Sequence, residues 1–217
     1  MLGGSVYVAF IRLIISILGT VLLFTLMDEP RFGRKMTWFL YGSMFIIVLP
    51  PSCIWYVVGH ESFVRLAPLS LFIVFCLFSL YISSTHLFLT FYKLGFTFYL
   101  MAVFVVGGII CSESFFGGNV WADIIVRILL IALLAFFIDK YLRNSIKEFG
   151  VYVEDELDWF SLTVLIISLF FGIAFVIRPL DEKEMKYRLL QIVINFFLIG
   201  SLQLMVLRLY LHIGKQS

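Results

Sequence analysis

Stretches of about twenty apolar residues recur along almost the whole chain, and no other feature constrains its fold as much. Twenty residues of α-helix span the hydrocarbon core of a bilayer, and a helix satisfies its own backbone hydrogen bonds where no water is present. Of the 217 residues, 62% are hydrophobic and 14% charged, with a mean hydropathy of +1.07. Soluble domains carry roughly 25% charged residues. A soluble fold of this composition would expose apolar patches far beyond the few hundred Å² that monomers tolerate. The pattern therefore predicts an all-α membrane protein, a polytopic bundle of about seven transmembrane helices, with six as the alternative count.

The predicted spans cover residues 6–27, 36–58, 66–83, 87–111, 120–138, 159–177 and 189–211. A charged turn, Asp28 to Lys35, follows the first. Pro50-Pro51 in the second removes two backbone donors and predicts a kink or break. Ser84-Thr85-His86 separates the third span from the fourth, with Lys93 placed to snorkel towards an interface. The longest polar stretch is 139–158. Leu142, Ile146 and Phe149 recur there at helical spacing, which suggests an amphipathic segment lying at the membrane surface. The whole of 1–217 reads as a single membrane domain, without an inverted repeat of the transporter kind.

Several functions are disfavoured. A net charge of +2 offers no basic face for nucleic acid. Cys53, Cys76 and Cys111 are few, odd in number and widely spaced, so neither a disulfide framework nor a metal site is expected. No cofactor motif occurs: Gly107-Gly108 and Gly117-Gly118 sit among apolar and aromatic residues rather than after a strand, unlike a phosphate loop. The apolar run Val6 to Met27 is too long for a cleavable signal and is interrupted by Arg12. Leu2 excludes the myristoylation pattern.

Lys and Arg counts give an orientation. With the N-terminus outside, the inner loops hold Arg31, Arg34, Lys35, Lys93, Lys140, Arg143, Lys147 and Lys215. The outer loops hold the smaller set Arg65, Arg178, Lys183, Lys186 and Arg188. The expectation is a multi-pass cell-membrane protein with the N-terminus outside and the C-terminus cytoplasmic.

Ionisable groups within spans are costly and are functional candidates by default. Arg12 and Arg127 each lie between one and two turns into a span. They either snorkel to headgroups or line an outward-facing pocket with Glu61, Glu113 or Asp123; the candidate ligand-binding set is Arg12, Glu61, Glu113, Trp121 and Arg127. Gln191, Asn195 and Gln203 share roughly one face of the last span, where interhelical hydrogen bonding is the expected use.

Three polar segments resemble those of a known family. Met27-Asp28-Glu29-Pro30-Arg31-Phe32-Gly33-Arg34-Lys35-Met36-Thr37 is similar to the first loop of peptide-sensing, quorum-type bacterial sensor histidine kinases with a GHKL-type ATPase domain. Ser145 to Gly150, with Glu154 to Ser161, is similar to their loop before the sixth span. Arg208 to Lys215 looks like the point where their last span runs on into a signalling helix. The resemblance implies a membrane signal-input domain that senses an extracellular ligand, a peptide by family habit. It also implies a homodimer that signals through the last helix to a cytoplasmic kinase. Residues 1–217 contain no phospho-accepting or ATP-binding segment, so within them no enzyme is expected. The chain would then be the sensor half of a longer protein or a natural short form. The alternatives are a small transporter or exporter accessory and a membrane cysteine peptidase. For the last, Cys53 with His60 and Cys76 with His86 are the available pairs, and neither has an orienting third group.

Overall fold

A computed structural model of the chain describes residues 6–152 together with Ile166, Phe197 and Gly200. Every described element is helical: α1 Val6–Met27, α2 Arg34–Val58, α3 His60–Ile82, α4 Leu87–Phe116, α5 Val120–Phe137 and α6 Arg143–Tyr152. A single π-helical turn, Ile138–Leu142, joins α5 to α6. By length and composition four helices can cross a bilayer: Tyr7–Met27, Arg34–Val58, Leu89–Phe116 and Val120–Lys147. In α3 the described apolar run is the shorter Ser70–Ile82. The expected spans 159–177 and 189–211 lie outside the described residues, so the count reached among the described residues is four rather than seven.

The chain divides into two units. The described part of the first is 6–27 and 96–152, with Phe197 and Gly200; that of the second is 28–95, with Ile166. Helix α4 runs through the division, its first residues in the second unit and the rest in the first.

In the first unit, α1 and α5 are parallel neighbours. Arg12 meets Asp123, and Ser16 meets Arg127. A Cβ on Gly19 would lie 2.5 Å from Ile131 Cδ1. Three contacts one turn apart at a nearly constant offset require helices running the same way. Gly19 is what allows the close approach, as small residues do where helices pack without a hydrophobic driving force between them. Ile131, Ile138, Leu142 and Ile146 continue the buried stripe of α5 through the π turn into α6. Ile125, Ile128, Leu129, Leu133 and Phe136 form an exposed apolar face on the other side. Such a face is untenable in water and matches lipid.

The described part of the segment read from sequence as amphipathic, residues 139–152, is helical. The fifth span continues as helix to Tyr152, about 50 Å from Val120 at 1.5 Å per residue. Leu142 and Ile146 are buried rather than displayed along a free surface helix. The polar side chains take the opposite face, where Arg143 Nη1 donates to Asp139 Oδ1 at 3.1 Å. Lys140 stands over the rings of Phe136 and Tyr141.

In the second unit, α2 and α3 form an antiparallel hairpin with Gly59 alone between them. Gly59 N–H donates to Trp55 O, and Gly59 O accepts from Phe63 N–H, so one residue closes one helix and opens the next. The hairpin core is aromatic: Tyr56 packs edge-on against Phe63, and Tyr41 stacks on Phe75. Pro50 and Pro51 lie inside α2, and the helix continues past them to Val58, so of the expected kink or break it is the break that does not occur. At the other end of the hairpin, the segment after α1 and the segment after α3 pair as a short antiparallel bridge, Pro30 with Ser83. Arg31 N–H donates to Ile82 O at 2.7 Å, and Ser84 N–H to Glu29 O at 2.9 Å.

Candidate functional site

The site is built at the end of the first unit where α1 and α5 begin and α4 finishes. The α4–α5 turn needs two left-handed residues, and Gly117 (φ 58°) and Gly118 (φ 79°) supply them without a Cβ clash. Gly118 N–H donates back to Ser112 O at 2.9 Å, satisfying a carbonyl that the helix end would otherwise leave open. Asn119 then caps α5, its side chain accepting from Trp121 N–H at 3.0 Å. This fixes α5 so that Asp123, in its first turn, points into the unit.

Asp123 is completely buried and is shared by two arginines. Arg127, one turn further along α5, donates from Nε to Asp123 Oδ1 at 2.9 Å. Arg12 of α1 brings its Nε to 2.6 Å from Asp123 Oδ2. That approach lacks hydrogen-bond alignment, so charge rather than a hydrogen bond holds it. Ser16 ties the helices together. Its hydroxyl accepts from Arg127 Nη1 at 3.2 Å and donates to Arg12 O at 2.8 Å. Arg12 sits six residues into α1, about 9 Å along its axis.

Among the described residues the cluster therefore holds two guanidinium groups and one carboxylate, a net charge of one positive unit. Arg12 Nη2 is buried and has no hydrogen-bond partner among the described residues. A buried charge is ordinarily paired and hydrogen-bonded, because the low dielectric makes isolation expensive. Gly108 of α4 closes the third side: a Cβ there would lie 2.5 Å from Asp123 Oδ1 and 2.7 Å from Arg127 Cγ. The Gly107-Gly108 pair is thus a close-packing device on α4.

A second charged cluster lies in the other unit and is of the opposite kind. Lys93, only 2% exposed, donates from Nζ to Asp28 Oδ1 at 2.9 Å and to Thr85 Oγ1 at 3.1 Å. Ser83 Oγ donates to the same Asp28 oxygen at 2.8 Å, and Thr85 Oγ1 at 3.3 Å. Thr90 Oγ1 lies 3.1 Å from Ser83 Oγ and 3.0 Å from Thr85 Oγ1. One cation meets one anion, with hydroxyls filling the space between. The cluster's charges balance, with Asp28 Oδ2 buried and without a hydrogen-bond partner among the described residues, and it locks the bridge between residues 28–31 and 82–84. Lys93 therefore does not snorkel outward as its position suggested; it is buried because a carboxylate is available inside.

Of the residues singled out from sequence, Arg12 and Arg127 come together, and Asp123 is the acid between them. Glu113 is half-buried at the end of α4 and makes no ion pair with either arginine among the described residues. Trp121 exposes its indole on a different face of α5 from Asp123. Glu61 is in the first turn of α3, in the other unit, and its side chain is outside those described. Gln191, Asn195 and Gln203 lie outside the described residues. The residues that sequence reading missed are Ser16, Asp28, Ser83, Thr85 and Thr90. Ser16, four residues after Arg12 on the same face, carried a usable signal. The hydroxyls around Asp28 did not, because their meeting depends on two distant turns pairing. Among the described residues no group of His, Cys, Asp and Glu could hold a metal ion. Comparison of the chain with protein-family models, with curated proteins and with solved structures finds no match.

Proposed function

We propose that the chain is the multi-pass membrane signal-input domain of a two-component sensor histidine kinase system. It would lie in a bacterial cell membrane as a homodimer, with its N-terminus outside. In this reading an extracellular ligand, a peptide, binds at the end of the bundle where α1 and α5 begin. Binding favours one packing of the helices over another, which is the condition for a ligand to shift any conformational equilibrium. The last helix carries the change to a cytoplasmic kinase.

The observation that carries the reading is the buried cluster of Arg12, Asp123 and Arg127, with one positive charge in excess. Structural ion pairs are usually balanced, as Asp28 with Lys93 is here. An unbalanced one, tying two parallel helices at their shared end, responds to an added charge by changing how those helices pack. The resemblance of the charged segments to quorum-type kinases supports the choice of signalling over transport.

The test is made in the host cell. Deletion of the gene and the chromosomal substitution Arg127→Ala should both reduce the transcriptional response to conditioned culture medium, with Arg127→Ala protein still present in the membrane. If the deletion strain responds to conditioned medium as the wild type does, the sensing role is refuted.

A further inference from the structure

We infer that the Arg12–Asp123–Arg127 cluster is a half-filled receptor for a single free carboxylate, such as the C-terminal carboxylate or an acidic side chain of a peptide. The inference deepens the proposed sensing role and rests on it for the ligand's biological source. It does not rest on it for the chemistry of the site.

The argument is one of charge and valence. Two guanidinium groups share one carboxylate, whose Oδ1 faces Arg127 and whose Oδ2 faces Arg12. The Ser16 hydroxyl already gives its one proton to Arg12 O, so it has no donor left for an anion. What remains, among the described residues, is one positive charge and, at Arg12 Nη2, a buried donor without a partner. One monovalent anion cancels the charge and satisfies the donor. A dianionic phosphate would reverse the imbalance instead of removing it. A halide would cancel the charge but cannot match the planar fork of a guanidinium, which binds carboxylates through parallel N–H bonds. A second carboxylate beside Arg12 would give an alternating array of two arginines and two acids, the arrangement buried charges adopt when each is paired.

Access is consistent with this. Arg12 lies near the helix start, and its side chain retains 17% exposure while Asp123 has none. The ligand therefore meets the exposed part of the Arg12 side chain first, and the buried Nη2 must turn outward to reach it, while Asp123 with Arg127 forms the wall behind. Gly108 leaves that wall no room to retreat into α4.

The test uses the full chain, purified and reconstituted in nanodiscs of phosphatidylcholine. The probes are N-acetylglycine, which ends in a carboxylate, and N-acetylglycinamide, its neutral isostere. Thermal unfolding is followed at constant ionic strength set with chloride. N-acetylglycine should raise the melting temperature saturably and the amide should not. Arg12→Gln should weaken the apparent affinity about tenfold or more, the size of one lost charge-assisted hydrogen bond. If Arg12→Gln does not fold, Arg12→Lys carries the test. It keeps the charge, loses the fork, and should no longer distinguish the carboxylate from chloride. Equal responses to acid and amide overturn the inference, as does a full response in Arg12→Lys. Loss of the carboxylate response when phosphatidylglycerol replaces phosphatidylcholine also overturns it, because the anion would then be a lipid phosphate. A failure here leaves the transcriptional experiment standing. Carboxylate binding without a transcriptional phenotype would keep the site and remove the sensing role.

Discussion

Replacing Gly108 with alanine separates what a helix prefers from what this site permits. In a helix interior alanine is more favourable than glycine by about 0.8–1 kcal/mol. At Gly108 the added Cβ would stand 2.5 Å from Asp123 Oδ1, 2.7 Å from Arg127 Cγ and 3.2 Å from Arg127 Nε. None of these atoms is the loose end of a flexible chain, since the carboxylate is held from both sides by arginines. Overpacking of this kind costs about 1–3 kcal/mol, and moving a buried ion pair adds to it, so the net effect is a loss of about 1–3 kcal/mol. Two other glycines calibrate the result. At Gly107 the Cβ meets only Leu130 Cδ1, a terminal methyl that can rotate away, so the substitution should be close to neutral. At Gly42, inside α2, nothing lies within 4 Å, and alanine should stabilise by up to about 1 kcal/mol. Unfolding of the three purified variants by titration with sodium dodecyl sulfate, followed by circular dichroism, gives the order Gly42→Ala, Gly107→Ala, Gly108→Ala from most to least stable. A Gly108→Ala protein as stable as Gly42→Ala would refute the close packing of α4 on the ion pair.

Asp123→Ala leaves two buried guanidinium groups facing each other and should cost about 3–5 kcal/mol in the same unfolding assay. The triple substitution with Arg12→Met and Arg127→Met should recover most of that loss, and no recovery would show that the carboxylate acts otherwise than by charge. Lys93→Met strands the Asp28 carboxylate and should destabilise by a similar ~3–5 kcal/mol. Adding Asp28→Asn should restore stability and the protection of the Arg31 and Ser84 amides from hydrogen exchange. In a cysteine-free background, His86→Cys and Phe116→Cys, at opposite ends of α4, should react with a membrane-impermeant maleimide from opposite faces of the membrane, Phe116→Cys from outside. Labelling of both from one face would contradict a spanning α4.

The helices were legible because lipid-matched apolar runs need no tertiary information. The end of α1 and the start and end of α2 follow from the Asp28–Lys35 turn and from Gly59. The continuity of the fifth helix with the segment after it was not legible. Asp139 and Lys140 read as the first polar residues outside, whereas Leu142 and Ile146 keep the helix packed and carry it on. The two charged clusters divide in the same way. Arg12, Arg127 and Asp123 stand out because each is a charge inside an apolar run. Asp28 and Lys93 misled for a complementary reason. Each sits near a boundary where an exposed charge is ordinary, and only the pairing of the segments after α1 and α3 buries both.

The π turn at Ile138–Leu142 has a consequence for genetics as much as for shape. A π turn accommodates one residue more than the α turn it replaces. Deleting any one residue of that turn could restore an uninterrupted α-helix, with its hydrogen bonds intact and its length almost unchanged. Everything beyond would keep its bearing, because the shortened α turn sweeps nearly the same angle as the π turn it replaces. Leu142 and Ile146 would stay on the packed side when the residue lost is Asp139, Lys140 or Tyr141, and Arg143 and Lys147 would keep their bearings. The same deletion made within α5 or α6 would instead rotate all that follows by about 100°, the angle of one helical residue.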